Sequence, residues 1–245
     1  MKITPFMIEN RFARKGLLID YAGVQAEVSP LPGYSHETVD QAYVQLQNLP
    51  ASVLYPSVYF GLQSVRLALT HPEPPFRAKR HLFLYGTPEE IRARIRPGYD
   101  TAKVKISHLG LEEAIDIVRE LRSRFRLRLD FNRNWPKEKV IAFFSHFPKD
   151  AFDYSEEPLP DPADLVHFPH AFALDETLRE QKAGHLIALE NCRALIFKPT
   201  LQGRLPPYNK PIILSPSYEG PVGLAHLERW VHAYNLTDYC HGLEI

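Results

Sequence analysis

Cysteine is nearly absent, with only Cys192 and Cys240 in 245 residues. Two thiols cannot build a disulfide framework, and their separation matches no metal-ligand pair. Glycine is scarce, at 12 residues, and no charge of one sign dominates, since 29 Lys and Arg offset 29 Asp and Glu. A formal net charge of zero argues against a nucleic-acid or anionic-membrane surface, which needs a basic excess. No apolar run approaches the ~20 residues of a membrane span. The opening MKITPFMIEN has no apolar stretch of signal-peptide length. The 11 histidines show no HExxH or paired spacing and read as surface or satisfied side chains. The expectation is a soluble, cytoplasmic, thiol-reduced protein without nucleic-acid or membrane partners, monomeric or weakly homo-oligomeric.

Apolar residues make up 44% of the chain, enough for a sizeable core. Proline is frequent, at 22, and its clusters mark joints rather than element interiors. The cluster His71-Pro72-Glu73-Pro74-Pro75 suggests a boundary there, giving domains 1–75 and 76–245. The first domain reads as α+β: a β-rich stretch over 16–28, a loop at Ser29-Pro30-Leu31-Pro32-Gly33, then helices near 36–47 and 57–70. Thr38 and Ser57 are suitable helix-start residues. In the second domain, short apolar strands at 81–86, 102–106, 126–131, 151–155, 171–175, 194–198 and 211–215 alternate with helical patterns, including 162–168, 178–189 and a last one at 223–234. Such alternation argues for a parallel sheet with crossover helices. Seven or eight units favour a (β/α)8 barrel. The expected class is α/β, a shortened (β/α)8-type barrel preceded by a small α+β capping domain.

Charges are costly in a parallel strand covered on both faces unless they serve something. Here the strands end on Lys105, Asp130, Glu156, Asp175 and Lys198, at intervals of 19 to 26 residues. That spacing is close to one barrel unit, so the five charges fall at one height around the rim where barrel active sites are built. Alternation places Lys103 and Lys105 on one face, and Arg126, Arg128 and Asp130 on one face. An inward Arg128 must meet a carboxylate. Phase alone does not separate Glu156 from Glu157. Three carboxylates from adjacent strands make an oxygen-rich site suited to Mg²⁺, with Mn²⁺ as an alternative. A cation bound to a substrate carboxylate acidifies the neighbouring carbon. An ammonium at Lys103 would lower the pKa of Lys105 and make it a usable base, the role expected of Lys103, with a mere ion-pair partner as the alternative.

The motifs K-x-K (Lys103, Lys105), D-x-N (Asp130, Asn132), E-E-P (156–158), D-E (175–176) and K-P-T (198–200), in this order, resemble the enolase superfamily. SPLPGYSHET (29–38), LRLDFNRNW (127–135), EEPLPDP (156–162), DETLRE (175–180) and KPTLQG (198–203) are similar, more narrowly, to the o-succinylbenzoate synthases of menaquinone biosynthesis. The resemblance implies Mg²⁺ held by Asp130, Glu156 and Asp175, which favours Glu156 over Glu157. It implies that Lys105 takes the α proton of 2-succinyl-6-hydroxy-2,4-cyclohexadiene-1-carboxylate and then assists departure of the hydroxyl. Lys198, on the opposite face, would stabilise the enediolate. It also implies a first domain that caps the barrel, with a loop near 11–16, including Arg14, closing over this small carboxylate substrate. Ser215 and Ser217 would receive the succinyl tail, turn chemistry being the plain alternative. Arg128 reads as a structural ion pair and Asn132 as a support for the metal ligands.

The chain departs from that pattern by being short. From residue 81 about 165 residues remain, below the ~200 of the smallest barrels. Between Lys198 and Ser215 stand Pro206, Pro207 and Pro211, which cannot sit inside a helix, so the helix between barrel strands six and seven is expected to be missing. The sequence stops at 241–245, near an eighth strand, without a closing helix. Two other readings remain: a dipeptide epimerase or N-acylamino-acid racemase, which uses both lysines as acid and base, and a non-catalytic binding module. Five retained rim charges argue against the last.

Overall fold

The computed structural model describes residues 1–71, 73–74 and 76–243. The boundary expected after residue 75 falls on Pro75, outside the described residues, as do Pro72 and the final Glu244 and Ile245. Two compact units are present. One comprises Met1–Lys79, Phe197–Pro207 and Leu214–Leu243; the other comprises Arg80–Ile196 and Tyr208–Ile213.

In the first unit, β1 (Lys2–Ile8), β2 (Arg14–Tyr21) and β3 (Val24–Val28) form an antiparallel sheet in that order. The sequence reading missed β1 because Pro5 interrupts its pattern. Proline is tolerated there because β1 is an edge strand. The stretch read as β-rich over 16–28 is two strands folded at Ala22–Gly23, whose φ values of 52° and 79° suit a two-residue hairpin turn. Two helices follow, α1 (Val39–Gln47) and α2 (Pro56–Thr70). Thr38 caps α1, and Gln41 returns the bond to its backbone. Helix α2 starts a residue before Ser57, with Pro56 in its first turn. Leu17, Ile19, Ala26 and Val28 of the sheet pack with Ala42, Leu46, Val58 and Val65 of the helices.

The remaining elements are β4 (Leu82–Leu84), α3 (Pro88–Ala93), β5 (Thr101–Lys105), α4 (Leu111–Leu121), β6 (Arg126–Asp130), α5 (Lys137–Phe144), β7 (Tyr154–Glu156), β8 (Phe172–Leu174), α6 (Glu176–Arg179), β9 (Cys192–Phe197), α7 (Pro199–Gln202), β10 (Ile212–Leu214) and α8 (Pro221–Ala233). Strands β4 to β10 lie in chain order in one seven-stranded sheet, with parallel pairing from β4 through β9. All seven barrel strands read from the sequence are there, and the architecture is the expected α/β one. One face of the sheet is apolar: Leu82, Val104, Leu127, Leu129, Phe172 and Leu174 bury against Ile115, Val118 and a cluster of Phe131, Trp135, Phe143 and Phe144.

Two connections differ from the helices expected. Residues 162–167, between β7 and β8, form a 3-10 turn rather than an α-helix. The pattern at 178–189 is α6 and a separate 3-10 turn at Gly184–Ala188. Gln181, at φ 58°, leaves the helical region and breaks it. Between β9 and β10 there is only the four-residue α7, as the prolines of that segment require. Near the end of the described chain, the Gly242 N–H bonds to the Leu214 carbonyl at 2.9 Å, and the His241 N–H to the Lys79 carbonyl at 2.8 Å. The Nδ1 atom of His241 accepts from the Leu214 N–H at 3.0 Å. A two-residue segment thus supplies pairing to the edge of β10 that an eighth strand would otherwise give.

His226 of α8 is 5% exposed and lies 2.7 Å, through Nε2, from the Gln25 carbonyl of β3. Burial lowers its pKa below the ordinary histidine value, against that backbone bond. A histidine whose folded pKa is depressed contributes stability above its unfolded pKa of about 6.5 and loses it as pH falls. Urea unfolding at pH 7.5 and 5.5 is expected to show a loss at the lower pH that is smaller in His226→Gln.

Candidate active site

The rim charges are placed by strand register. Lys105 pairs with Asp130 across β5 and β6, and Asp130 with Glu156 across β6 and β7. Each is the last residue of its strand, so the three stand at one height. Glu156 pairs with Ala173 of β8, and Asp175 follows that strand directly. Asp130, Glu156 and Asp175 are all buried, at 4%, 2% and 1% exposure. Lys105 is half-buried.

Lys103, one side-chain step below the rim, provides the charge that makes this burial tolerable. Its Nζ lies 2.9 Å from Asp130 Oδ2 and 2.7 Å from Glu156 Oε1. Burial alone would lower its pKa. The charges of Asp130 and Glu156, the hydrogen bond to Glu156 and the charge of Asp175 outweigh that and hold it well above the usual lysine value. Lys103 is therefore a firmly protonated ion-pair partner of two rim carboxylates.

At the level of Lys103, Arg128 pairs with Tyr154 across β6 and β7. Its Nε donates to Asp153 Oδ2 at 2.8 Å, and its guanidinium sits 4.8 Å from the centre of the Tyr154 ring. The carboxylate expected for an inward Arg128 is thus Asp153. Burial pushes the Tyr154 hydroxyl well above the usual phenol range, so it remains a neutral phenol. Asn132 supports the rim through its backbone, since its N–H donates to Asp130 Oδ1 at 3.2 Å.

The second glutamate of the E-E pair does different work. Glu157 is fully buried. Its Oε1 accepts from the N–H groups of Asp175 at 2.8 Å and Thr177 at 2.7 Å, and its Oε2 from the Thr177 hydroxyl at 2.7 Å. Arg133 Nε closes the set with a bond to Oε2 at 2.8 Å and reaches Glu180 through Nη1. Glu157 therefore holds the start of the loop that carries Asp175. Sequence reasoning missed Glu157, Arg133 and Thr177 in this role; the adjacent glutamates were the only visible signal. Strand alternation sends neighbours to opposite faces, and a φ of 43° at Glu157 turns the chain there.

The other expected residues belong to the first unit. Lys198 directly follows β9 and is the N-cap of α7. Arg14 is 5% exposed; Nη1 donates to the Phe12 carbonyl at 3.2 Å, and Nη2 to those of Ser217 at 3.1 Å and Ser29 at 3.4 Å. Burial lowers its pKa, opposed by the charges of Glu219 and Glu27. Ser217 is buried and its hydroxyl has no hydrogen-bond partner among the described residues, whereas Ser215 is half-buried.

Among the described residues, no three His, Cys, Asp or Glu side chains form a ready metal cage. The donor set nevertheless fits a hard dication. Its carboxylates stand at the ends of β6 and β7 and just after β8, and the field of Asp130 and Glu156 already holds one buried cation, Lys103. Replacing Glu157 by Ala leaves buried N–H groups and the Arg133 guanidinium without their acceptor. It is expected to lower the unfolding free energy by about 2–5 kcal/mol in urea denaturation, with Glu157→Gln losing less.

Comparison with known proteins agrees with this architecture. Residues 87–196 match the family model for enolase C-terminal domain-like proteins. The o-succinylbenzoate synthase of Pasteurella multocida (strain Pm70) is 30% identical, across 93% of this chain and 81% of that protein. Two solved structures share the fold. The o-succinylbenzoate synthase of Thermosynechococcus elongatus BP-1, complexed with Mg in its active site, aligns with a TM-score of 0.73 at 19% identity, covering 98% of this chain and 91% of that one. A dipeptide epimerase of Enterococcus faecalis V583 aligns with a TM-score of 0.72 at 13% identity, covering 98% and 88%. With that identity to the Pasteurella protein over most of both sequences, the chain belongs to the o-succinylbenzoate synthase family.

Proposed function

We propose that this protein dehydrates 2-succinyl-6-hydroxy-2,4-cyclohexadiene-1-carboxylate to o-succinylbenzoate, a step of menaquinone biosynthesis, as a metal-dependent carbon–oxygen lyase. The observation that carries the reading is the register-matched row of Lys105, Asp130 and Glu156, with Asp175 after the next strand, in a chain of this family.

Asp130, Glu156 and Asp175 would hold Mg²⁺, or Mn²⁺ in its place. When bound, the ion supplies positive charge beside the substrate carboxylate and so acidifies the adjacent C–H. Lys105 takes that proton at Nζ. Its exposure, greater than that of the three carboxylates, supports a group that meets substrate. The same Nζ–H then protonates the departing hydroxyl, so that the C–H and C–O bonds are lost as water and the ring becomes aromatic. Lys198 carries the positive charge that stabilises the developing anion. Lys103 holds Asp130 and Glu156 in place through its two ion pairs, beside Lys105 on the same strand. Ser215, Ser217 and Arg14 belong to the recognition of the succinyl tail, with Arg14 acting through the Ser217 carbonyl. Asn132 and Arg128 support the strand ends. The first 75 residues serve as the capping domain and residues 76–245 as the catalytic barrel.

Incubation with the cyclohexadiene substrate and Mg²⁺ is expected to give the aromatic product, read by ultraviolet absorbance, and chelation to stop it. Lys105→Ala and Lys198→Ala are each expected to lower kcat by about 10³-fold or more. Lys105→Ala is also expected to end exchange of the α proton in deuterated water. Racemisation of an N-acylamino acid or dipeptide without dehydration would replace this reading with that of an epimerase.

A further inference from the structure

Helix α8 begins without a cap of its own. Its N-cap is Gly220, no side chain of the helix satisfies its first N–H groups, and Pro221 has none to offer. The missing acceptor comes from nearly 200 residues earlier in the chain. Glu27 of β3, 1% exposed, accepts from the Gly220 N–H through Oε1 at 2.9 Å and from the Gly223 N–H through Oε2 at 3.1 Å. The Ser29 hydroxyl donates to the same Oε1. A carboxylate in this place also meets the positive end of the helix dipole.

The two glycines form the socket. A Cβ on Gly220 would stand 2.9 Å from Glu27 Oε2, and one on Gly223 would stand 3.0 Å from it. Gly220 has an ordinary φ of −74°, so space for the carboxylate, not backbone freedom, explains glycine here.

The turn before α8 carries Ser217 and is held at that residue from both sides. Glu219 Oε2 accepts from the Ser217 N–H at 2.6 Å, and Arg14 Nη2 donates to the Ser217 carbonyl at 3.1 Å. Glu219 Oε1 also accepts from Thr200 of α7 at 2.6 Å. Glu27 fixes Gly220, three residues after Glu219's anchor at Ser217. The backbone of Ser217 is therefore set by contacts, while its buried hydroxyl has no partner among the described residues.

We propose that Glu27 is a positioning residue for substrate: by capping α8 from the three-stranded sheet it sets the 215–220 turn and aims the Ser217 hydroxyl at the substrate tail. This rests on the reading of Ser217 as a contact for the succinyl chain. The test uses the full chain with Mg²⁺ and the cyclohexadiene substrate. Glu27→Gln keeps the shape but loses one acceptor. It is expected to raise KM about tenfold with kcat within about twofold, and Ser217→Ala to do likewise. The double variant should be no worse than Ser217→Ala alone, because both act through one contact. A merely structural glutamate would lower the active fraction and leave KM unchanged, and that result, or additive losses, overturns the proposal. If Glu27→Gln fails to fold, Gly220→Ala, which crowds the socket, should give the same KM defect, and an unchanged KM there counts against it. Hydrogen exchange over 215–224 is read in parallel and should rise in Glu27→Gln with the seven-stranded sheet unaffected; unchanged exchange also overturns the proposal. A wild-type protein inert toward the substrate would fail the reaction reading, and the exchange result would then decide the capping role alone.

Discussion

Carboxylates buried side by side at the ends of parallel strands repel one another and lose their water, and the candidate site is organised around that cost. Asp130 and Glu156 stand in register with almost no solvent exposure. Without compensation their repulsion and lost hydration would destabilise the strand ends. Lys103, from the neighbouring strand and one side-chain step lower, puts an ammonium within 3 Å of both. The same field that keeps Lys103 charged is what a hard dication would meet. An oxygen-lined, anionic rim suits a hard dication, and a cation held there would stabilise extra negative charge on a bound carboxylate.

Other buried glutamates are handled differently. Glu157, Glu27 and Glu219 accept from backbone N–H groups at chain turns rather than relying on a cation alone. Each holds the start of a loop or helix next to a residue of interest: Glu157 at Asp175, Glu219 at Ser217, Glu27 at α8. Burial raises the pKa of Glu219, and the nearby charge of Glu27 adds to this, while the bonds from Thr200 and Ser217 oppose it. Two chemistries of buried acid thus coexist. One set faces cations at the strand ends, and the other replaces water at exposed backbone donors.

Much of the fold was legible because hydrophobic alternation and unit spacing survive in the linear chain. All seven parallel strands, both first-unit helices and α8 stand where periodicity put them. The misses have local causes. Pro5 hides β1 from any pattern search, although an edge strand accepts it. The stretch 178–189 has helical composition, yet the chain leaves the α region at Gln181, and propensity does not encode that turn. Between β9 and β10 the chain forms only the four-residue α7, in a segment whose prolines disfavour a longer helix.

What the sequence determined by itself is which charges end the strands and on which side of each strand they fall, because alternation and repeat length are properties of the chain. Tertiary structure alone decided what each charge meets. It gave Lys103 to two carboxylates, Arg128 to Asp153, and Arg14 to three backbone carbonyls. It separated the adjacent Glu156 and Glu157 into opposite environments, and it brought Glu27 to a helix almost two hundred residues later. Partners so distant are chosen by packing, where the penalty for an unmet buried group selects among arrangements that local sequence leaves equivalent.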